Sequence, residues 1–309
     1  MKKRVVTNVS IISIILTSFI VLTSCTNNTI KDINIIKTKK VSVGSYKAHI
    51  IDKRTVIETL TSDKFEGRAV GSKGNRLTED YLENLFKDIG LSSVFNNKYR
   101  HKYDTSNSNI IGKIDGKSDN AIIISAHFDH IGIQDGKIIR GAIDNASGVS
   151  VLLEVAETLK NKYSIDKPEF DIIFAAFNGE ESGMKGSSEF VHDIIGEYDN
   201  LIDINIDSVG YKNGGKVTFL NNKGYDTLNK SMEKILKNNG LEVTLGNKIL
   251  GRSDSDSFKR PEMKSICIIE ENVKEVIHSE RDTPEMVDYS RLDKISNSVI
   301  ELVESITYD

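Results

Sequence analysis

Apolar runs of strand length alternate with amphipathic stretches of helical period along most of this chain. The clearest run is Phe170-Asp-Ile-Ile-Phe-Ala-Ala-Phe177, which stops at Asn178-Gly179-Glu180-Glu181-Ser-Gly183. Its Ile and Phe content predicts a buried strand. The glycines then break the strand and leave two adjacent carboxylates on a turn at its C-terminal end. Similar runs predict strands over 109–114, 121–126, 201–207, 216–220 and 265–270. Between them, the spacing of Leu77, Tyr81, Leu82, Leu85, Phe86 and Ile89 predicts a helix closed by Gly90. Val149, Leu152, Leu153, Ala156 and Leu159 predict another, and Leu292, Ile295, Val299, Leu302 and Ile306 a last one, with Ser290 and Asp293 as its capping pair. Shorter helices are expected over 52–60, 186–191 and 225–239, and a glycine-rich loop over 65–74. Strands alternating with helices, with charge gathered at strand ends, define a three-layer α/β domain with a mostly parallel sheet.

The first 24 residues break this pattern. Lys2-Lys3-Arg4 precedes a mostly apolar stretch that closes on Leu22-Thr-Ser-Cys25. That is the layout of a secretory signal, and its ending resembles the bacterial lipobox, in which the cysteine is acylated. The expected organisation is therefore a signal over 1–24, a lipidated Cys25 with a polar tether over 25–50, and a single domain over 51–309 without an inserted second domain. An acylated Cys25 would hold the exported protein on the outer face of the cell membrane. An apolar content of 38% and a charged content of 28% suit a globular domain. The formal net charge of −4 and the lack of a basic stripe argue against a nucleic-acid partner. Cys267 sits inside the run Ser-Ile-Cys-Ile-Ile and reads as a small core hydrophobe.

The chemistry lies at the strand ends, where open α/β sheets bind ligands. Neighbouring carboxylates such as Glu180 and Glu181 repel unless a cation or a shared proton compensates, although alone they would read as a solvated turn. His127 and Asp129 are two apart on an extended backbone and project to one side, so Asp129 can fix the tautomer of a metal-bound His127. Asp144 stands just before the third predicted helix, where a helix cap is the simpler reading. Asp207 ends an apolar strand, a costly place for an unpaired carboxylate. His278 is the lone histidine of a late loop. Two imidazoles and three carboxylates (His127, Asp144, Glu181, Asp207 and His278) suit two divalent ions of the zinc type, with one carboxylate bridging. Glu180 is left over as a general base.

Six motifs in order carry a resemblance to a known family: Glu66-Gly-Arg68-x-x-Gly-Ser, Ser125-Ala-His127-Phe-Asp129-His, Gly141-Ala-Ile-Asp144-Asn-Ala-Ser-Gly-Val, Gly179-Glu180-Glu181-x-Gly, Asn205-Ile-Asp207-x-Val-Gly and His278-x-x-x-Asp282-Thr-Pro-Glu. They resemble the two-zinc aminopeptidases of the aminopeptidase Y and leucyl aminopeptidase type, related to glutamate carboxypeptidase II and the glutaminyl cyclases. The resemblance implies an α/β/α sandwich with a mixed central sheet and two Zn2+ per chain. It also implies peptide substrates with a free N-terminus. His127 and Asp207 would hold one ion, Glu181 and His278 the other, and Asp144 both. Glu180 would be the base, and Asp129 would orient His127. Two positions depart from the family pattern. Ser253-Asp254-Ser255 stands where many members carry Ser-Asp-His, and Ile277 rather than a tyrosine precedes His278. A cyclase with a single zinc and a lipid-anchored binding protein on the same fold are the competing readings.

Overall fold

A computed structural model describes residues 51–95, 97–220, 227–245, 251–259 and 263–307. The expected signal, Cys25 and the tether lie outside these residues. Among those described, no helix is long and apolar enough to cross a membrane.

Asp52 accepts a hydrogen bond from Thr55 N and starts α1 (Lys53–Leu60). Ser72 caps α2 (Lys73–Ile89), and Gly90 ends it in the left-handed region, as its place after the periodic run predicts. Two short strands, β1 (Ser92–Ser93) and β2 (Arg100–Lys102), precede β3 (Ser108–Ile114) and β4 (Asn120–His127). The hairpin of β5 (Ile133–Gln134) and β6 (Lys137–Ile138) follows, then α3 (Gly148–Lys162), β7 (Asp171–Phe177), α4 (Lys185–Ile194) and β8 (Asn200–Ile206). The chain closes with β9 (Val217–Phe219), α5 (Thr227–Asn238), β10 (Met263–Glu270) and α6 (Tyr289–Ser305). Helix α6 starts one residue before the expected Ser290, because the carboxylate of Asp288 takes Arg291 N and serves as the cap.

The sheet order is β1-β3-β7-β4-β8-β10-β9, with β2 also on β3. The central strands β7, β4, β8 and β10 run parallel. The flanking pairs β3–β7 and β9–β10 are antiparallel, so the sheet is mixed. Its pleat divides the core. Ile122, Ile124 and Ala126 of β4 face a large cluster with Leu82, Phe86, Leu152, Met232 and Val299 of the helices. Ile123 and Ala121 face a smaller one with Phe190 and Val191 of α4 and with Phe258. Helices thus cover both faces, which completes a three-layer α/β/α sandwich. Burial on both sides explains why these strands read as continuous apolar runs rather than alternating ones. Cys267 is buried in β10, as its apolar setting predicts. The parallel register also aligns the ends of β4, β7, β8 and β10, which gathers the chemistry at one edge.

Candidate metal centre

Five chain segments meet at the C-terminal edge of the parallel strands, held by hydrogen bonds between them. Buried Asp129, just after β4, uses one carboxylate oxygen to accept Glu180 N (3.1 Å) and the other to accept Glu181 N (3.2 Å). It thereby clamps the turn that follows β7. Gly179 of that turn has φ +88, and a Cβ there would stand 3.0 Å from Tyr103 Oη. Asn178, one residue earlier, exchanges two 3.0 Å side-chain hydrogen bonds with Asn75 of α2.

Asp144 is not a helix cap. It lies in an irregular turn before α3, and its N–H and that of Ile143 donate to the carboxylate of Asp282 at 3.1 and 2.6 Å. The next side chain, Asn145, donates to Ile206 O at the end of β8 and accepts Ser208 N, so the Asp144 turn is tied to the strand that presents Asp207. Arg68, fully buried, donates to the carbonyls of Leu60, Phe128, Arg140 and Gly141 and braces the loops on either side of His130. Burial lowers its pKa to about 10, against the raising effect of Asp282, Asp144, Asp129 and Glu181. Within the expected glycine-rich loop, Phe65, Gly67 and Arg68 are buried, while Gly71 and Lys73 are exposed.

All five expected ligand residues converge. His127 Nε2 lies 3.3 Å from Asp144 Oδ1 and 3.5 Å from Asp207 Oδ1. His278 Nε2 lies 3.0 Å from Asp144 Oδ2 and 2.9 Å from Glu181 Oε1. The two oxygens of Asp144 therefore face two different groups, as a bridging carboxylate requires. The orienting contact of His127 differs from expectation in detail. Its Nδ1 is 3.1 Å from the main-chain carbonyl of Asp129 and 3.8 Å from the carboxylate, which is engaged by the Glu180–Glu181 amides. His130 is the residue that the sequence reading missed. Its Nδ1 is 3.0 Å from Glu181 Oε1 and 3.8 Å from Asp144 Oδ2. Its place directly after His127-x-Asp129 was the available signal.

The electrostatics show a site in need of cations. Burial works against charge on His127, yet the carboxylates of Asp144 and Asp207 outweigh it and hold its pKa well above the ordinary imidazole value. Asp144, and then Glu181, raise His278 to about 10. Burial opposes ionisation of Asp144, but hydrogen bonds from His127 and His278 win and keep its pKa well below the usual range. Burial, reinforced by the charges of Asp207, Asp254 and Asp144, pushes Glu180 up to about 9.

The donors fit zinc. Ligand bonds of about 2.0–2.1 Å in a tetrahedral site put neighbouring donor atoms roughly 3.3 Å apart. Within each of the groups His127–Asp144–Asp207 and His130–Asp144–Glu181–His278, one candidate ligand atom per residue lies within 4.8 Å of all the others. A cleft of ≈ 350 Å³ opens over them, lined by Glu180 and by Met184, Leu220, Ile269, Val273 and Ile277. Asp254, in the departure from the Ser-Asp-His pattern, is buried near this centre, and burial raises it to about 7. Ile277, in the other departure, forms part of the apolar wall.

The fold and the donor set together define an α/β/α sandwich with a candidate divalent-metal centre at the C-terminal strand edge. The chain belongs to peptidase family M28, whose model matches residues 109–303. It is 29% identical over 201 residues to the alkaline phosphatase isozyme conversion protein of Escherichia coli (strain K12), a match covering 58% of this chain and 56% of that protein. The chain thus spans about half the length of this curated relative. The LapA aminopeptidase of Legionella pneumophila shares the fold with a TM-score of 0.70 at 19% identity, over 81% of this chain and 69% of LapA. BSAP, described as a zinc aminopeptidase from Bacillus subtilis, is 26% identical with a TM-score of 0.55, over 63% of this chain and 49% of BSAP.

Proposed function

We propose that this protein is a zinc-dependent aminopeptidase that removes N-terminal residues from peptides at a co-catalytic two-metal centre. The observation that carries this reading is the split of Asp144, with Oδ1 toward His127 and Oδ2 toward His278. His127 and Asp207 would hold one ion, and Glu181 and His278 the other. When bound, the ions supply Lewis acidity that polarises the scissile carbonyl and acidifies water. Glu180 lines the same cleft; bound cations would offset the burial and the carboxylate charges that raise its carboxyl, so that it ionises, takes the proton of the attacking water and returns it to the leaving amine. The carboxylates around the centre attract the free α-amine of a peptide. The apolar wall of Leu220, Ile269, Val273 and Ile277 offers room for its first side chain. The layout of residues 1–25 supports an exported protein held to the outer face of the cell membrane by an acylated Cys25.

The test is hydrolysis of a panel of aminoacyl-p-nitroanilides by the purified protein, with N-acetylated controls and with a chelator. Chelator-sensitive release from free amines alone is the expected result. Release from blocked substrates refutes an aminopeptidase. Inertness toward every substrate with two zinc ions bound turns the reading toward a non-enzymatic binding protein.

A further inference from the structure

His130 has no role in the two-metal assignment, yet it is among the most confined side chains of the centre. Its residue is 1% exposed. Gly141 makes the space for its ring: a Cβ there would fall 2.6 Å from His130 Cδ2. The ring stands 5.5 Å from that of His278, measured between centroids, at 58°. Only Nδ1 reaches the site, 3.0 Å from Glu181 Oε1. Nε2 is buried without a hydrogen-bond partner among the described residues. A buried N–H without an acceptor is among the rarest defects in folded proteins, whereas an acceptor without a donor is tolerated more often. The ring proton therefore belongs on Nδ1. A metal-ligating histidine nearly always donates its second N–H to a partner, and His130 has none to offer it to.

The geometry points to His130 as a positioning residue for the second ion's site: Nδ1–H donates to Glu181 Oε1 and holds that carboxylate where His278 and Asp144 can share an ion with it. The inference rests on the two-site reading above. Its consequence is asymmetry. Glu181 is steadied by a buried side-chain donor, whereas Asp207 takes its side-chain bond from the neighbouring Ser208 hydroxyl, at 2.9 Å. Of the two ions, the one at Glu181 should depend on His130 and the one at Asp207 should not.

The experiment is competitive Zn2+ titration of the metal-stripped full chain against a chromophoric chelator, with wild type, His130→Ala and His130→Asn, followed by Co2+ absorption spectra of each. An Asn amide can place an N–H close to the position of the imidazole Nδ1–H but is a poor zinc ligand. Loss of the donor in His130→Ala should weaken one of the two sites by about 10–100-fold and leave the other unchanged. His130→Asn should recover most of that loss, with a Co2+ spectrum like that of wild type. Equal loss in both variants, with a changed Co2+ spectrum, overturns the inference in favour of direct ligation by His130. Unchanged affinities in His130→Ala overturn it outright. A wild type that binds one ion sinks the two-site reading instead, and the inference then stands or falls on whether that single site responds.

Discussion

The two edges of the parallel strands β4 and β7 both carry clefts, and the larger one is at the wrong end. At the N-terminal edge a cleft of ≈ 600 Å³ is lined by Lys113, Asp115, Lys117, Asp171 and Tyr198. At the C-terminal edge the cleft over the candidate metal centre is only ≈ 350 Å³. The difference is in how charge is settled. In the larger cleft Lys113 Nζ meets Asp171 at 2.7 Å and Asp115 at 3.2 Å, and Lys117 meets Glu169. Asp171 also accepts Tyr198 Oη and Gly116 N. Lys113, Asp115, Lys117 and Asp171 there all have protein partners. In the smaller cleft the carboxylates of Asp144, Glu181 and Asp207 converge on imidazoles and lie close to one another. Volume marks where a molecule can enter. Converging charge that the protein leaves for something else to neutralise marks where chemistry happens.

The hardest test of this contrast is Glu180→Gln. It keeps the shape of the smaller cleft and removes one proton acceptor. Turnover should fall by about 10²–10⁴-fold, the usual worth of a general base, while zinc analysis still finds both ions. Near-normal turnover with full metal would remove Glu180 from the mechanism.

How much of this was visible in the residues themselves depends on what kind of signal each element sends. β7 and its Glu180–Glu181 turn were legible, because a doubly buried strand is apolar throughout and glycines mark its end. The short strands that pair with β3 were not. β1 is Ser-Ser and β2 is Arg-His-Lys, and neither carries an apolar period. The five ligand candidates were legible as residue types at strand ends. Their supports were not, since Asp129 acts through the amides of another segment and Asp282 through those of Asp144 and Ile143, and such long-range contacts leave no local pattern. His130 shows the limit best. It is adjacent in sequence to a recognised motif, and its partner Glu181 is 51 residues away.

A smaller effect follows from the requirement that an imidazole be neutral to bind zinc. His127 and His278 both have raised pKa values, His278 to about 10, because carboxylates hold their charged forms. Below those values each imidazole carries a proton that zinc must displace. Affinity at each site should therefore rise with pH, by up to about tenfold per unit for one displaced proton. Stepwise zinc titration between pH 6 and pH 8 measures it. Affinity independent of pH would show that protons do not occupy these positions. A charge-settled cleft should show no such linkage.

The mildest change completes the comparison from the other side. Lys113→Met removes the cation that two carboxylates share in the larger cleft. Asp171 keeps two donors, Gly116 N and Tyr198 Oη, each at 2.7 Å, so it is not stranded. Lys113 is partly exposed, at 22%, and water screens what remains. The expected cost is about 1 kcal/mol or less in a denaturant titration, with kcat and zinc content unchanged. A large loss of activity would mean that the N-terminal cleft takes part in the chemistry after all, and that the neutralised edge is not merely structural. Unchanged turnover beside the collapse expected for Glu180→Gln would locate the function by its unsettled charge rather than by the size of the opening.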